Sequence, residues 1–161
     1  MLQNLSKKLR IGKSRHLFNY KHIADVQDDV LNFILKGHLL NCYELIYWPF
    51  VKHAVNGGQQ DQKSDEYIKK GLQVAADRIA INQPGFKHRH HGTYGMIKSV
   101  TRITFVLLAA CHSNRLQHLM PVGWLELLPS VDDLLEFWED EIAAAASWRE
   151  MMKLLVEEAQ T

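Results

Sequence analysis

Three histidines cluster in the short segment Lys87-His88-Arg89-His90-His91. Neutral imidazole is the commonest metal ligand, so His88, His90 and His91 could in principle hold zinc, copper or nickel. Adjacent side chains point in different directions, however, and Lys87 and Arg89 add two cations to the same segment. We therefore expect a structural role, in which an imidazole hydrogen bonds backbone groups where the chain enters the next helix. A basic patch that contacts an anionic partner is the second interpretation, and a specific metal site is the third.

A second group of cations lies close by in the sequence. Lys98 and Arg102 are four residues apart in a helical pattern, so they share one face of the helix. Arg78 belongs to the preceding helical segment. An arginine beside an apolar helix usually pairs with a carboxylate, and we expect its partner to be Asp77 or an acid of the C-terminal segment. A clamp for the carboxylate or phosphate of a ligand is the alternative.

Catalytic sequence motifs are absent. The sequence has no nucleophile elbow, phosphate-binding loop, dinucleotide glycine pattern or two-histidine zinc-protease pattern. Gly57-Gly58 is not followed by Lys-Ser/Thr, so we interpret this pair as a linker. Cys42 and Cys111 are too far apart for a zinc motif and too few for a disulfide framework, and we expect two buried free thiols. We accordingly expect a protein that is not an enzyme and has no resident cofactor.

Charge is segregated along the 161 residues, although the net charge is only +1. Residues 1–24 carry six Lys/Arg and no acid, and residues 78–125 carry six Lys/Arg, five His and no acid. From Glu126 onward there are ten acids and two bases. We interpret 1–24 as a basic, flexible segment, with a weak likeness to a transit peptide, and 25–161 as a helical domain. No apolar run reaches the ~18–20 residues of a membrane helix, so we expect no membrane association.

Apolar residues recur at helical spacing, and no alternating strand pattern of useful length is present. The pattern predicts helices over about 26–55, 64–83, 92–112, 130–144 and 147–159. Ser64, Ser130 and Ser147 are predicted to cap the second, fourth and fifth of these helices. Pro49 is predicted to kink the first helix or start a new one. The predicted fold is all-α, an irregular helical bundle of about five to seven helices.

The apolar and acidic residues of the C-terminal half predict two kinds of helix. The stretch 103–110 is apolar on all sides, as in a central helix that its neighbours cover. The stretch 132–141 mixes bulky apolar residues with acids, as acidic activation segments do, but we favour an amphipathic helix with its acids in solvent. Its predicted core stripe comprises Val131, Leu134, Leu135 and Trp138. Three further tryptophans are predicted to anchor the core: Trp48, Trp124 and Trp148.

Over about residues 38–142, a series of short segments appears in the same order as in a known protein family. The segments are 42–50, 71–73, 77–79, 82–86, 88–93, 99, 101–102, 107–110, 121–124 and 137–141. This series resembles the C-terminal regulatory region of fungal zinc-cluster transcription factors. The resemblance implies a helical region that regulates a factor through an effector, a partner or autoinhibition. Members of this family bind DNA through a six-cysteine zinc cluster, which two cysteines cannot form.

We therefore expect a transcription-regulator-like module in the nucleus, or alternatively in the cytoplasm, with no specific DNA binding by this chain alone. Expected partners are a transcription factor or co-regulator, a second copy in a homodimer, or a small-molecule effector. The candidate contact residues are Trp48, His88, Arg89, His90, His91 and Arg102. The alternatives are a metal- or small-molecule-binding protein or enzyme built on the three histidines, and a mitochondrial helical protein.

The resemblance also implies that some apolar surfaces of this chain are only partly covered. In longer relatives, a preceding helical region would pack against these helices. We therefore expect apolar side chains of the first helix to be only partly covered here, which favours a homodimer or a helical partner. The residues concerned are Leu31, Ile34, Trp48, Phe50 and Val51.

Overall fold

The helices end where the sequence supplies glycine, proline or a polar loop. The computed structural model describes the backbone of residues 30–59 and 61–160 and the side chains of 35–59 and 61–159. Its α-helices are α1 (Val30–Val55), α2 (Gln62–Asn82), α3 (Thr93–His112), α4 (Leu128–Trp138) and α5 (Ala145–Gln160). Short 3₁₀ helices span Gln83–Gly85, Gln117–Leu119 and Trp124–Leu127. These ranges contain no strand, and the prediction of an all-α bundle is confirmed.

The chain divides into two units, Met1–His38 and Leu39–Thr161. The second unit contains the bundle described below. The predicted basic segment 1–24 lies outside the described residues.

The central helix of the bundle is α3, which packs against α2, α4 and α5. Its residues Ile97, Val100, Leu107 and Leu108 are fully buried. Burying each such side chain contributes roughly 1.5–3 kcal/mol, so this helix makes a large apolar contribution to stability. The prediction that α3 is covered on every side is wrong on one side, because Ala109 is exposed and its neighbours there are only half-buried.

By length and composition alone, α3 is also the one helix among the described residues that could cross a membrane. Its mean hydropathy is 1.3, and 44% of the apolar window is buried inside the bundle. Counting uninterrupted apolar residues missed this helix, because Lys98 and Arg102 interrupt the run. The core helix of a bundle has the same composition, and the buried residues of α3 belong to the core.

α1 buries one face only. The buried residues follow helical steps of three and four and comprise Leu40, Tyr43, Tyr47, Val51 and Ala54. On the other side, Leu45 and Ile46 are 77% and 56% exposed. Cys42 lies on this exposed side, so the prediction of a buried thiol is wrong for it, while Cys111 is half-buried. Neither Gly37 nor Pro49 ends the helix.

The expectation of partly covered apolar residues on α1 holds only in part. Trp48 is half-buried and Phe50 is 37% exposed, as expected. Val51 is 3% exposed, contrary to expectation. It is covered because α1 passes Gly71 of α2, where any side chain would collide with Val51. The side chains of Leu31 and Ile34 lie outside the described residues.

The predicted serine caps are wrong. Asp61 caps α2: its carboxylate accepts a hydrogen bond from the backbone N–H of Ser64 at 2.7 Å, and Ser64 Oγ accepts from the N–H of Asp61 at 2.8 Å. Ser64 is thus the third helical residue of a reciprocal capping box. Ser130 lies inside α4 and donates to the carbonyl of Leu127, and Ser147 lies inside α5. Sequence alone favoured each serine because it stands before an apolar run.

The acidic stretch forms the predicted amphipathic helix only as far as Trp138, because residues 139–141 form a turn. The stripe of α4 is buried, as predicted, and comprises Val131, Leu134, Leu135 and Trp138. On its outer side, Arg149 of α5 donates to both carboxylate oxygens of Asp132, at 2.8 and 3.0 Å. These hydrogen bonds lower the pKa of the Asp132 carboxyl from its ordinary value, although partial burial opposes the shift. The ion pair therefore fixes α5 against α4.

Candidate functional site

The six candidate contact residues fall into two separate groups. The histidine segment forms the loop before α3, and Arg89 points from that loop towards the end of α4. Trp48 of α1 and Arg102 of α3 meet on a different side of α3. The two groups are therefore separate candidate sites.

Thr93 organises the histidine loop. Its Oγ1 accepts a hydrogen bond from the backbone N–H of His90 at 2.9 Å and donates to the carbonyl of His88 at 2.8 Å. The Nδ1 atom of His90 accepts from the N–H of Gly92 at 3.0 Å. The prediction that an imidazole hydrogen bonds the backbone at this junction is confirmed for His90. An imidazole that accepts in this way cannot use the same nitrogen for a metal ion.

The other groups of the loop are exposed or paired within the chain. His88 and His91 are exposed, and the described ranges contain no group of three His, Cys, Asp or Glu placed to hold a metal ion. Arg89 forms an ion pair with Glu141 at 2.5 Å, and its guanidinium lies over the Trp138 ring at 4.9 Å. The pairing joins the loop to the end of α4. The basic-patch interpretation of Arg89 is thereby weakened, because an acid of this chain already neutralises it.

Glu44 is the residue that sequence reasoning missed. Its carboxylate lies between two arginines, pairing with Arg78 of α2 through one oxygen and with Arg102 of α3 through the other. The side chains of Glu44 and Arg78 are 18% and 15% exposed, and that of Arg102 is 44% exposed. Burial lowers the pKa of both guanidinium groups from the ordinary arginine value. A carboxylate partner was predicted, but Asp77 and the C-terminal acids were the wrong candidates.

Arg102 is held from a second direction by Trp48. The guanidinium carbon lies 5.0 Å from the centre of the Trp48 ring, a cation–π distance. Trp48 is half-buried, so the prediction that it anchors the core holds only in part. Trp124 is 6% exposed and does belong to the core, whereas Trp148 is half-buried. Two of the three predicted tryptophan anchors therefore lie at the edge of the bundle.

An open groove of 710 Å³ runs along the uncovered side of α3. Its lining residues are Val55 of α1, Trp148 of α5 and, from α3, Lys98, Ser99, Thr101, Arg102, Phe105, Val106 and Ala109. The polar members lie towards the N-terminus of α3 and its apolar members towards the C-terminus. We name this surface the α3 groove. Arg102 is the one candidate contact residue that lines it.

The groove could not be read from the sequence, because three helices that are distant along the chain form it. Lys98 and Arg102 were recognised as sharing a face, but Val55 and Trp148 carried no signal beyond apolar spacing.

Comparisons with protein-family models, with curated proteins and with solved structures find no match. The resemblance to zinc-cluster transcription factors therefore stays a prediction that depends on the sequence segments themselves.

Proposed function

We propose that the chain is a helical, transcription-regulator-like interaction module that binds a protein partner or a small-molecule effector in the α3 groove. The observation that supports this function best is the groove itself. Its volume of 710 Å³ lies within the roughly 300–1,000 Å³ of ligand-binding clefts. Its lining combines apolar side chains with a few polar groups, which is the usual composition of a binding surface.

The rigidity of the groove's cationic end also supports a binding role. Glu44 and Trp48 hold Arg102 from two directions, so its guanidinium is oriented before any partner arrives. A side chain that is already ordered loses less conformational entropy on binding. In this proposal the regulator acts in the nucleus, or alternatively in the cytoplasm, through contacts with a transcription factor, a co-regulator or an effector. Specific recognition of DNA is left to the partner.

The alternative function built on the histidines has less support from the geometry of the loop. His90 is engaged by Gly92, and the cavity of 350 Å³ beside it contains the paired side chains of Arg89 and Glu141. A metal or substrate would have to displace these contacts.

Affinity isolation from the native cell tests the proposed function. The bait is compared with two variants, Ala109→Arg inside the groove and Ala80→Arg on the exposed side of α2. Both replace an exposed helical alanine, so they add the same charge and bulk. We expect transcription factors or co-regulators with the wild-type chain and with Ala80→Arg, and their loss with Ala109→Arg.

Two results would refute the proposed function. Equal recovery with all three baits would show that partners do not use the groove. Nanomolar, sequence-selective binding of duplex DNA by the chain alone at physiological salt would place DNA recognition in this chain after all.

A further inference from the structure

The α3 groove has a direction. Lys98, Ser99 and Arg102 lie at one end, and Phe105, Val106 and Ala109 follow towards the other. From Lys98 to Ala109 the groove extends about 16 Å along α3, given the ~1.5 Å rise per residue. That length equals about three turns of an α-helix. An occupant that matches the groove is therefore elongated, apolar over most of its length and charged at one end.

The charge of the groove determines which charge its occupant should carry. The lining residues include two cations, Lys98 and Arg102, and no Asp or Glu. Glu44 already compensates Arg102, whereas the Lys98 ammonium lies over the Tyr94 ring at 5.4 Å. This cation–π contact does not neutralise the ammonium. The net charge of the polar end is positive, so an anionic group is favoured there.

The openness of the groove favours a helix over a small molecule as its occupant. Small-molecule sites bury about 70–90% of the ligand surface, whereas the α3 groove is largely open to solvent. An amphipathic helix needs only one buried face, and it lays that face into such a groove through anchors at i, i+3, i+4 and i+7. The lining itself repeats at helical spacing along α3, at positions 98, 102, 105 and 109.

We propose that the α3 groove binds an acidic amphipathic helix of a protein partner, with apolar anchors over Phe105, Val106 and Trp148 and a carboxylate at Lys98. This inference rests on the proposed function and names the chemistry of its partner. The anchors bury the half-exposed apolar side chains, which provide most of the affinity. The carboxylate fixes the direction of the helix in the groove and excludes basic helices.

Two labelled peptides of about 18 residues test the inference, long enough to be partly helical alone. Both carry leucine at i, i+3, i+4 and i+7; one has glutamate on its polar face and the other has lysine. Fluorescence anisotropy gives the Kd of each peptide for the full chain. We expect the acidic peptide to bind roughly three- to tenfold more tightly than the basic one, because Lys98 attracts the acidic peptide and repels the basic one.

Charge reversal identifies the residue responsible. Lys98→Glu should weaken the acidic peptide by roughly three- to tenfold and strengthen the basic one. Lys69→Glu is the matched control, since Lys69 is exposed on α2 and lies outside the groove lining; it should leave both Kd values unchanged. Ala109→Arg should weaken binding of the acidic peptide, because the arginine side chain occupies the apolar end of the groove. Circular dichroism and the Tm of each variant verify that the bundle is intact.

Several outcomes would overturn the acidic-helix inference. Equal affinities for the two peptides, or no effect of Lys98→Glu, would show that Lys98 does not select an acidic helix. Self-association abolished by Ala109→Arg would assign the groove to a second copy, and binding of dodecanoate without binding of the acidic peptide would assign it to a small amphiphile. If neither peptide binds while Ala109→Arg still abolishes partner recovery from the cell, the inference fails and the proposed function stands.

Discussion

Removing the Glu44 carboxylate tests whether one acid joins three helices. We expect Glu44→Ala to destabilise the bundle by about 3 kcal/mol, because it leaves Arg78 largely buried and unpaired. Breaking a fully buried ion pair costs roughly 3–5 kcal/mol, and Arg78 is 15% exposed, which places this pair near the lower bound. Arg102 is 44% exposed, so solvent screens its pairing with Glu44 and it adds at most about 1 kcal/mol.

Urea unfolding measures this change, and thermal unfolding should show a Tm lower by roughly 10 °C. Glu66→Ala is the control, because Glu66 is exposed on α2 and its loss should change stability by less than about 0.5 kcal/mol. Replacing Arg78 by methionine in the Glu44→Ala chain should recover part of the loss, since the stranded cation is then absent. A Glu44→Ala chain as stable as the wild type would refute the reasoning, because the carboxylate would then not join the helices.

Three further predictions concern the core, a surface ion pair and a turn. Leu107→Asp should unfold the domain, because Leu107 is 0% exposed and an unpaired buried carboxylate costs several kcal/mol; an unchanged Tm would show that α3 is not central. The lowered pKa of Asp132 means that its ion pair stabilises the fold above the ordinary pKa of about 3.9 and that this contribution is lost as the pH falls below it. Asp132→Asn should therefore cost about 1 kcal/mol in urea unfolding at pH 7 and markedly less at pH 2.5; equal losses at both values would exclude the ion pair as the cause. Gly123→Ala should lower the free energy of unfolding by about 1–2 kcal/mol, because Gly123 has a φ of 75° that strains any residue with a Cβ. The new Cβ would meet no close atom, so backbone strain is the whole cost, and an unchanged stability would mean that the turn relaxes.

Local patterning predicted the helices of this chain, because each amphipathic helix repeats its buried face every three or four residues. The stripe of α4 from Val131 to Trp138 is an example, and its burial followed directly from its spacing. Helix starts were less predictable. Asp61 and Ser64 both favour an N-terminus, and only the backbone geometry shows that Asp61 is the cap and Ser64 its partner within the helix.

The pairing of charged groups was beyond sequence reasoning. Glu44 is separated from Arg78 and Arg102 by more than thirty residues, and no periodicity relates helices that touch only in the folded state. Cys42 shows the same limit for burial. It lies within an apolar helical pattern, yet α1 has one buried face and an exposed face that also carries apolar residues, so composition could not indicate which face is covered.

The indole of Trp138 donates a hydrogen bond to the carbonyl of Phe86 at 2.7 Å, across 52 residues of sequence. Trp138 is 4% exposed and Phe86 is 5% exposed, so water cannot replace this bond without separating α4 from the loop before α3. Phe86 therefore separates from Trp138 only when α4 detaches. In native-state hydrogen exchange, the amide of Phe86, which donates to the carbonyl of Gln83, should consequently exchange with the same opening free energy as the core amides of α4.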